Sequence, residues 1–306
     1  MNQPPNEHRR SSSITHLLET KTEWRLEYYL VLFFDLLGQR AQLRALTALP
    51  TDEEGVKHAT SVLKATVGRV IKLRVAFESF FEGMASETTF AKDLAPPQRQ
   101  LLHQHTQARV QYAGFSDSFL VFVPLYNTDE HCTPINGVHR AMLAACSIMT
   151  IALSQGIALR GGLDVGLGME LHEGEIYGPC LERAYYLESQ KAVYPRIALG
   201  DELALYLSFV KQQTPTTTFG KCAVLLANQC SSLVFEDHDG TPALDYLGDE
   251  FRRASGYTLD RALVEKALEF AHSEVQRWNE IGETKLAERY KNLHSYLNSR
   301  LAQWNT

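Results

Sequence analysis

The sequence has few cysteines, no excess of basic charge and no long apolar run, and each absence argues against a class of protein. The five cysteines include no CxxC pair, so neither a disulfide framework nor a closely spaced zinc site is indicated. The formal net charge is -6, with 30 basic and 36 acidic residues, and no nucleic-acid partner is expected. The longest apolar segment, residues 143–153, is too short for a membrane span and predicts a buried helix. We therefore expect a cytoplasmic protein.

Motifs of several common enzyme classes are also missing. The glycines of residues 161–168 are not followed by the lysine of a Walker motif and do not have the Rossmann spacing. Ser116 and Ser118 lack the GxSxG context of a hydrolase nucleophile. The eleven histidines show no metal-ligand spacing. The glycines are therefore interpreted as positions of close packing in a strand.

The 306 residues divide into three predicted segments. Residues 1–20 are polar and contain two prolines, which is typical of a disordered tail. Residues 21–205 are predicted to be a catalytic domain. Residues 206–306 are predicted to be an extension with strand-like pieces between Val224 and Tyr246 and two long amphipathic helices over 259–304.

Within residues 21–205 the hydrophobic pattern predicts an ordered series of strands and helices. The predicted elements are a buried strand over 26–34, a helix over 56–82, a hairpin over 109–125, a helix over 137–155, a strand over 157–168, a second hairpin over 169–177 and a helix from residue 179. This order predicts an α+β fold with a β-α-β-β-α-β core, in which helices cover one face of an antiparallel sheet.

Two aspartates stand at the ends of predicted strands. Asp35 follows the apolar run LVLFF, and Asp117 lies in the turn of the hairpin over 109–125. Each residue alone is more simply explained as a helix cap or a turn residue. Two carboxylates brought together repel, however, and a divalent cation with a preference for oxygen ligands removes that conflict. The pairing therefore favours a site for Mg²⁺ or Mn²⁺.

Four segments resemble one enzyme family. FFDLLG at 33–38, FSDS at 115–118 and the residues from RGGLDVG to EIYGPCLERAYYLE at 160–188 are similar to class III nucleotidyl cyclases. The YGPxLxRAYxLE pattern, together with YPRI at 194–197, more narrowly resembles the pyrimidine cyclases of the Pycsar antiphage defence system. The resemblance implies a ferredoxin-like class III cyclase core with a mostly helical C-terminal appendage.

The resemblance also implies a two-metal site. It makes Asp35, Asp117 and the backbone carbonyl of Leu36 the ligands of two Mn²⁺ or Mg²⁺ ions. It places the stretch from Phe34 through Leu36 and Leu37 to Gly38 beneath the triphosphate, where N–H groups at a helix start favour phosphate. Family members form head-to-tail homodimers with the active sites at the interface.

The residues that would contact the base follow from aligning the hairpins with the family. Gln111 and Glu175 take the base-reading positions, although a solvent-facing strand residue and an exposed carboxylate are equally good interpretations. Purine cyclases carry Asn and Arg where this chain has Glu182 and Tyr186. Arg183 is a candidate replacement for the missing cation, or else forms a surface ion pair. Tyr185 and Tyr186 are expected to narrow the base pocket in favour of pyrimidines.

These residues predict a uridylate cyclase. UTP would be converted to 3′,5′-cyclic UMP and pyrophosphate, and the product would activate a separate effector in antiphage defence. The choice of UTP over CTP is a preference, because Gln111 and Glu175 can each read either base. A purine cyclase remains an alternative, and so does an inactive cyclase-like module that binds nucleotide, since the Asn and Arg positions are altered.

Overall fold

A computed structural model describes residues 26–46, 49–83, 110–125, 134–172, 174–255 and 260–304. Within them the chain is an α+β protein whose helices pack on a single mixed sheet. The predicted class is therefore confirmed. The predicted polar tail, residues 1–20, lies outside the described residues, and so does the beginning of the predicted catalytic domain, residues 21–25.

The sheet has eight strands in the described part of the chain. Strand β1 covers Glu27–Leu36, β2 Gln111–Phe115, β3 Ser118–Pro124, β4 Leu159–His172, β5 Glu175–Tyr177, β6 Ile197–Leu199, β7 Val234–Glu236 and β8 Pro242–Leu244. The strand order is β2-β3-β1-β4-β6-β8-β7, and β5 pairs with the end of β4. Strand β1 is antiparallel to both β3 and β4, whereas β6 is parallel to β4. Strand β1 is therefore enclosed by a neighbour on each side.

Nine α-helices of the described residues connect or cover these strands. Helix α1 covers Gln39–Arg44, α2 Glu53–Gly83, α3 Ile135–Ser154, α4 Pro179–Tyr186, α5 Asp201–Lys211, α6 Thr218–Ser232, α7 Asp249–Ala254, α8 Arg261–Ile281 and α9 Thr284–Leu301. A π-helical turn, Leu187–Lys191, continues α4, and a 3₁₀ turn, Ala302–Trp304, continues α9.

The apolar run of β1 is explained by burial on both faces of the sheet. Leu30, Leu32 and Phe34 lie in the main hydrophobic core with α2 and α3, whereas Tyr29 and Val31 lie in a second cluster with α4. Successive strand residues point to opposite faces, so a doubly covered strand is apolar throughout. The strand predicted over 26–34 is confirmed. It continues two residues further, which makes Asp35 part of the strand.

Helix α3 lies at the centre of the main core. In the described part of the chain it is the one helix whose length and composition would suit a membrane span, but 83% of its most apolar stretch is buried inside the protein. Its small residues Ala141, Ala144 and Ala145 are fully buried, which allows its neighbours to approach closely. The prediction that residues 143–153 belong to a buried helix is confirmed, and the helix is consistent with a soluble protein.

One predicted segment is wrong in part. Strand-like pieces are predicted from Val224, but the chain from Thr218 to Ser232 forms α6. The Thr217 hydroxyl accepts a hydrogen bond from the Gly220 N–H at 3.1 Å, and this cap stabilises the start of the helix. Strands β7 and β8 follow as a hairpin, and the two helices predicted over 259–304 are present as α8 and α9.

A buried arginine joins β6 to this later hairpin. Arg196 is 1% exposed and donates hydrogen bonds to Asp237 and, at 2.6 Å, to Asp239. Burial alone would raise the pKa of Asp237, but the hydrogen bonds from Tyr194, His238 and Arg196 outweigh it and lower that pKa. The hydrogen bond from Arg196 is the main cause of the lowered pKa of Asp239. Both carboxylates are therefore stabilised in the charged form that Arg196 requires.

We expect Arg196→Met to lower the free energy of unfolding by roughly 3–5 kcal/mol, because it leaves the buried carboxylate of Asp237 without its cation, beside the more exposed Asp239. Urea unfolding followed by circular dichroism measures the change. Arg261→Met is the matched control, since Arg261 pairs with Glu265 on the surface of α8 at 2.7 Å. The control should cost less than about 1 kcal/mol. An equally small loss for Arg196→Met would contradict the role given to this cluster.

Candidate active site

Asp35 lies near the end of β1, on the face of the sheet opposite to Phe34. Its cross-strand neighbours are Ser118 on β3 and Arg160 on β4. The Ser118 hydroxyl donates to Asp35 Oδ1 at 3.1 Å, and Arg160 Nη2 donates to Asp35 Oδ2 at 3.1 Å. Asp35 is 3% exposed, and a carboxylate buried to this extent needs such partners.

Asp117 reaches the same place from the turn between β2 and β3. The turn consists of Ser116 and Asp117, and Ser116 has a φ of 57°, a left-handed conformation that costs energy for any residue except glycine. The Leu36 N–H donates to the carbonyl oxygen of Asp117 at 3.2 Å. This bond fastens the turn to the end of β1. The structure thus brings the two predicted aspartates to one site.

Both carboxylates line a single cavity of about 550 Å³. Its lining consists of Phe33, Asp35, Leu43, Arg44, Ser116, Asp117, Ser118, Arg160, Tyr185, Glu188 and Ser189. Polar and charged side chains therefore come from β1, the β2–β3 turn, β4 and the π-helical turn. A volume of this size is in the range of small-ligand sites.

Three charged residues of this cavity, Arg44, Arg160 and Glu188, were not among the predicted site residues. Arg160 donates to Asp35 Oδ2 from Nη2 at 3.1 Å and from Nε at 3.4 Å, and the same Nε lies 2.5 Å from Glu188 Oε1. The side chains of Arg160 and Glu188 are 15% and 3% exposed. The sequence held one signal for them, because the strand predicted over 157–168 contains a single charged residue, Arg160, before its glycines. Glu188 is the last residue of the YGPxLxRAYxLE pattern, but that pattern does not place its side chain in the cavity, which depends on helix packing.

The position of Glu188 depends on how closely α4 approaches β4. A Cβ atom at Gly162 would overlap the carbonyl oxygen of Ala184 and crowd the backbone nitrogen of Glu188. Glycine at this position therefore allows the helix to lie directly on the strand. The π-helical turn then brings the Glu188 side chain beside Arg160, two residues from Gly162 on the same face of β4.

An apolar groove adjoins the cavity. It has a volume of about 890 Å³, and Phe33 and Tyr185 line both the groove and the cavity. Their rings contact each other edge to face, with centroids 5.5 Å apart. Glu175 also lines the groove and is exposed, and Tyr177 beside it is 67% exposed. A large apolar surface therefore lies next to the carboxylate pair.

The remaining base-contacting candidates lie apart from the cavity. Gln111 is 7% exposed, and its Oε1 has no hydrogen-bond partner among the described residues. Tyr186 is 48% exposed and lines neither the cavity nor the groove. One copy of the chain therefore does not gather Gln111, Glu175 and Tyr186 around the aspartates, and their roles stay predictions.

Arg183 is engaged in an ion-pair cluster on another side of α4. Its guanidinium lies 3.5 Å from Asp164 on β4 and 3.3 Å from Glu202 on α5. Asp164 also accepts the Leu203 N–H at 2.9 Å, and burial raises its pKa. Arg183 lines neither the cavity nor the groove. The ion-pair interpretation named a surface pair with Glu182 or Glu188; the partners are instead Asp164, which is buried, and Glu202, and the catalytic role of Arg183 stays a prediction.

Residues 34–38, which are predicted to lie under the triphosphate, already use some of their groups in contacts within the protein. The Phe34 side chain is fully buried in the core. The N–H groups of Leu36 and Leu37 donate to the carbonyl oxygens of Asp117 and Ala158. Gly38, with a φ of 87°, turns the chain into α1. Phosphate contacts from these residues are therefore limited to groups that these bonds leave accessible.

The donor set suits a divalent cation that prefers oxygen. Asp35 and Asp117 offer carboxylates in one cavity, whereas Leu36, the third predicted ligand, is not among the residues that line it. Within the described residues no group of three or more His, Cys, Asp or Glu side chains converges on one point. A cation held here would therefore complete its coordination with water or phosphate, as Mg²⁺ usually does.

No family model matches the chain, and no curated protein matches its sequence. The chemistry of the site rests on the geometry described above.

We expect Mn²⁺ to stabilise the protein, and the replacements Asp35→Asn and Asp117→Asn to remove most of that effect. At a concentration 100 times the dissociation constant, a bound ion stabilises the folded state by about 2.7 kcal/mol. Thermal unfolding with and without Mn²⁺ measures this effect. Asp249→Asn is the matched control, because Asp249 lies on α7 with a side chain that is 71% exposed. An undiminished Mn²⁺ effect in both site variants would show that the ion binds elsewhere.

Proposed function

We propose that the chain is a pyrimidine nucleotide cyclase that converts UTP to 3′,5′-cyclic UMP and pyrophosphate. The observation that carries the proposal is the juxtaposition of Asp35, Asp117 and Arg160 in one cavity. Two carboxylates for divalent ions and one cation for phosphate are the groups that a nucleoside triphosphate requires.

The topology supports a class III cyclase core. The first four strands have the order β2-β3-β1-β4 with antiparallel neighbours, which is the order of a ferredoxin-like β-α-β-β-α-β unit. Helices α2 and α3 share one core on one face of these strands. The aspartates stand in the two places that the resemblance assigns to metal ligands.

In the proposed reaction the ribose 3′-oxygen forms a bond to the α-phosphorus, and the bond from that phosphorus to the β-phosphate oxygen breaks. Pyrophosphate leaves, and the hydroxyl proton passes to solvent. Asp35, Asp117 and the Leu36 carbonyl would hold two Mn²⁺ or Mg²⁺ ions. Such ions supply positive charge that lowers the pKa of the hydroxyl and neutralises the leaving group. Arg160 donates hydrogen bonds to phosphate oxygens in the same cavity.

The base would be read across a homodimer interface. Glu175 lines the apolar groove beside the cavity, and Gln111 lies on β2 with a buried amide oxygen that lacks a partner among the described residues. Neither lines the cavity that holds Asp35. In a head-to-tail dimer one copy supplies the aspartates and the other supplies these residues and Tyr186. Covering the groove would also bury its apolar surface.

The cyclic nucleotide would act as a second messenger for a separate effector in antiphage defence. This part of the proposal follows from the resemblance to the Pycsar cyclases. A cytidylate cyclase or a purine cyclase with the same core is the alternative within the same class, because Gln111 and Glu175 do not settle the base.

A second candidate function is an inactive module that binds nucleotide. The observation that favours it is the engagement of Arg183 with Asp164 and Glu202. With Glu182 and Tyr186 in the positions of Asn and Arg, no free cation on α4 is available for the transition state. This candidate predicts nucleotide binding without turnover.

Incubation of the purified protein with each of the four nucleoside triphosphates and Mn²⁺ tests the proposal. We expect cyclic UMP and pyrophosphate from UTP, identified by liquid chromatography and mass spectrometry. Asp35→Asn should lower the rate by at least about 100-fold, because it removes charge stabilisation at the reacting phosphate. Asp249→Asn serves again as the control. Binding of nucleotide without any cyclic product would leave the inactive module as the function.

Mixing two inactive variants tests the shared site. We expect Asp35→Asn and Glu175→Arg to be inactive alone and to recover activity when mixed, because a heterodimer contains one intact site. Random exchange of equal amounts should restore about a quarter of the wild-type activity. A mixture of two Asp35→Asn preparations is the control. No recovery, with exchange of subunits verified by light scattering on tagged chains, would contradict a site built from two copies.

A further inference from the structure

The Arg160 guanidinium is shared by two buried carboxylates from different elements. Arg160 Nη2 lies 3.1 Å from Asp35 Oδ2, and Arg160 Nε lies 2.5 Å from Glu188 Oε1. Asp117 lines the same cavity, so that three carboxylates lie around Arg160 there. Arg44 is also in the lining but is exposed at its edge.

Two features of the backbone hold Glu188 in this place. The π-helical turn Leu187–Lys191 begins one residue before it, and such turns are rare and frequently occur at functional sites. The backbone nitrogen of Glu188 lies against Gly162, where a Cβ atom would crowd it. Glu188 itself is 2% exposed. The irregular turn and the close contact at Gly162 together bring one carboxylate to Arg160.

Arg160 and a divalent ion compete for the same carboxylate. The attraction between Arg160 and Asp35 weakens once an ion neutralises Asp35, and the ion and the guanidinium also repel each other. Glu188 offers Arg160 a second carboxylate at a shorter distance. The guanidinium can therefore leave Asp35 without leaving the cavity.

We propose that Glu188 is a positioning residue that draws Arg160 away from Asp35 when the Asp35–Asp117 pair binds a divalent ion, and so keeps the guanidinium where the phosphates lie. The proposal rests on the metal site of the proposed function. Without the Glu188 charge, Asp35 is the one carboxylate that Arg160 contacts in the described structure. The ion would then have to displace Arg160 from Asp35, and no second carboxylate would be in place to pair with the guanidinium.

Binding of Mn²⁺ to the full chain, measured by the paramagnetic resonance of free Mn²⁺, tests this inference. Glu188→Gln should weaken binding by about 10-fold, the lower range for residues that support a metal ligand. The double variant Arg160→Gln, Glu188→Gln should return to within about threefold of the wild type, because the competitor for Asp35 is gone. Glu265→Gln on α8 is the matched control and should leave Mn²⁺ affinity unchanged.

Two results would overturn the proposal. Unchanged Mn²⁺ affinity in a folded Glu188→Gln variant would show that the contact between Glu188 and Arg160 is purely structural. Weak binding in both the single and the double variant would make Glu188 a direct metal ligand. If Glu188→Gln does not fold, Arg160→Gln alone is decisive, because it should bind Mn²⁺ at least as tightly as the wild type, and weaker binding would refute the competition.

The outcome is separable from that of the cyclase assay, because Mn²⁺ binding does not require turnover. A wild type that binds Mn²⁺ but forms no cyclic product would refute the cyclase and leave the variant series valid. A wild type that forms cyclic UMP, with the same Mn²⁺ affinity in Glu188→Gln, would refute only the role of Glu188. A wild type that does not bind Mn²⁺ would refute the role of Glu188 as well.

Discussion

Helix α4 lies directly on β4, and the candidate site depends on this close approach. A side chain at Gly162 would overlap the backbone of the helix at Ala184, so glycine at this position sets the distance between helix and sheet. Because no layer of side chains separates the two elements there, the π-helical turn that follows the helix reaches the end of the sheet. Glu188 can then contact Arg160, and the cavity gains a wall of charged groups in place of an apolar one.

The balance of buried charge then decides what this cavity can hold. Asp35 accepts hydrogen bonds from a hydroxyl on β3 and a guanidinium on β4, although it is almost completely buried. The lining combines three carboxylates with the guanidinium groups of Arg44 and Arg160 and so suits a charged ligand, whereas an apolar cavity of the same size would favour a neutral ligand. The apolar groove beside it provides the contrasting surface, which suits a protein partner or the ring of a base.

The sequence predicts well those features that depend on patterns of a few neighbouring residues. The apolar run before Asp35 predicts a doubly buried strand, and the β-rich halves around Asp117 predict a hairpin, because periodicity and turn residues act over a few positions. Arg160 and Glu188 could not be placed in this way. Arg160 meets Asp35 through a strand register between residues 125 positions apart, and Glu188 depends on a π-helical turn. The strand prediction from Val224 was wrong because the apolar residues there fit a strand and a helix equally well. The cap at Thr217 is what identifies the helix.

The Arg196 cluster links the two parts of the chain in one further respect. Arg196 belongs to the segment before residue 205, but the carboxylates of Asp237 and Asp239 belong to the segment after it. A recombinant fragment ending at residue 205 would retain a buried cation and lose both of these anions. If the C-terminal segment were exchanged for that of another chain, Arg196 would lose its partners in the same way. The replacement would have to present two carboxylates from a tight hairpin at the end of β6. The segment after residue 205 thus supplies, within the same chain, the two anions that balance the charge of the buried Arg196.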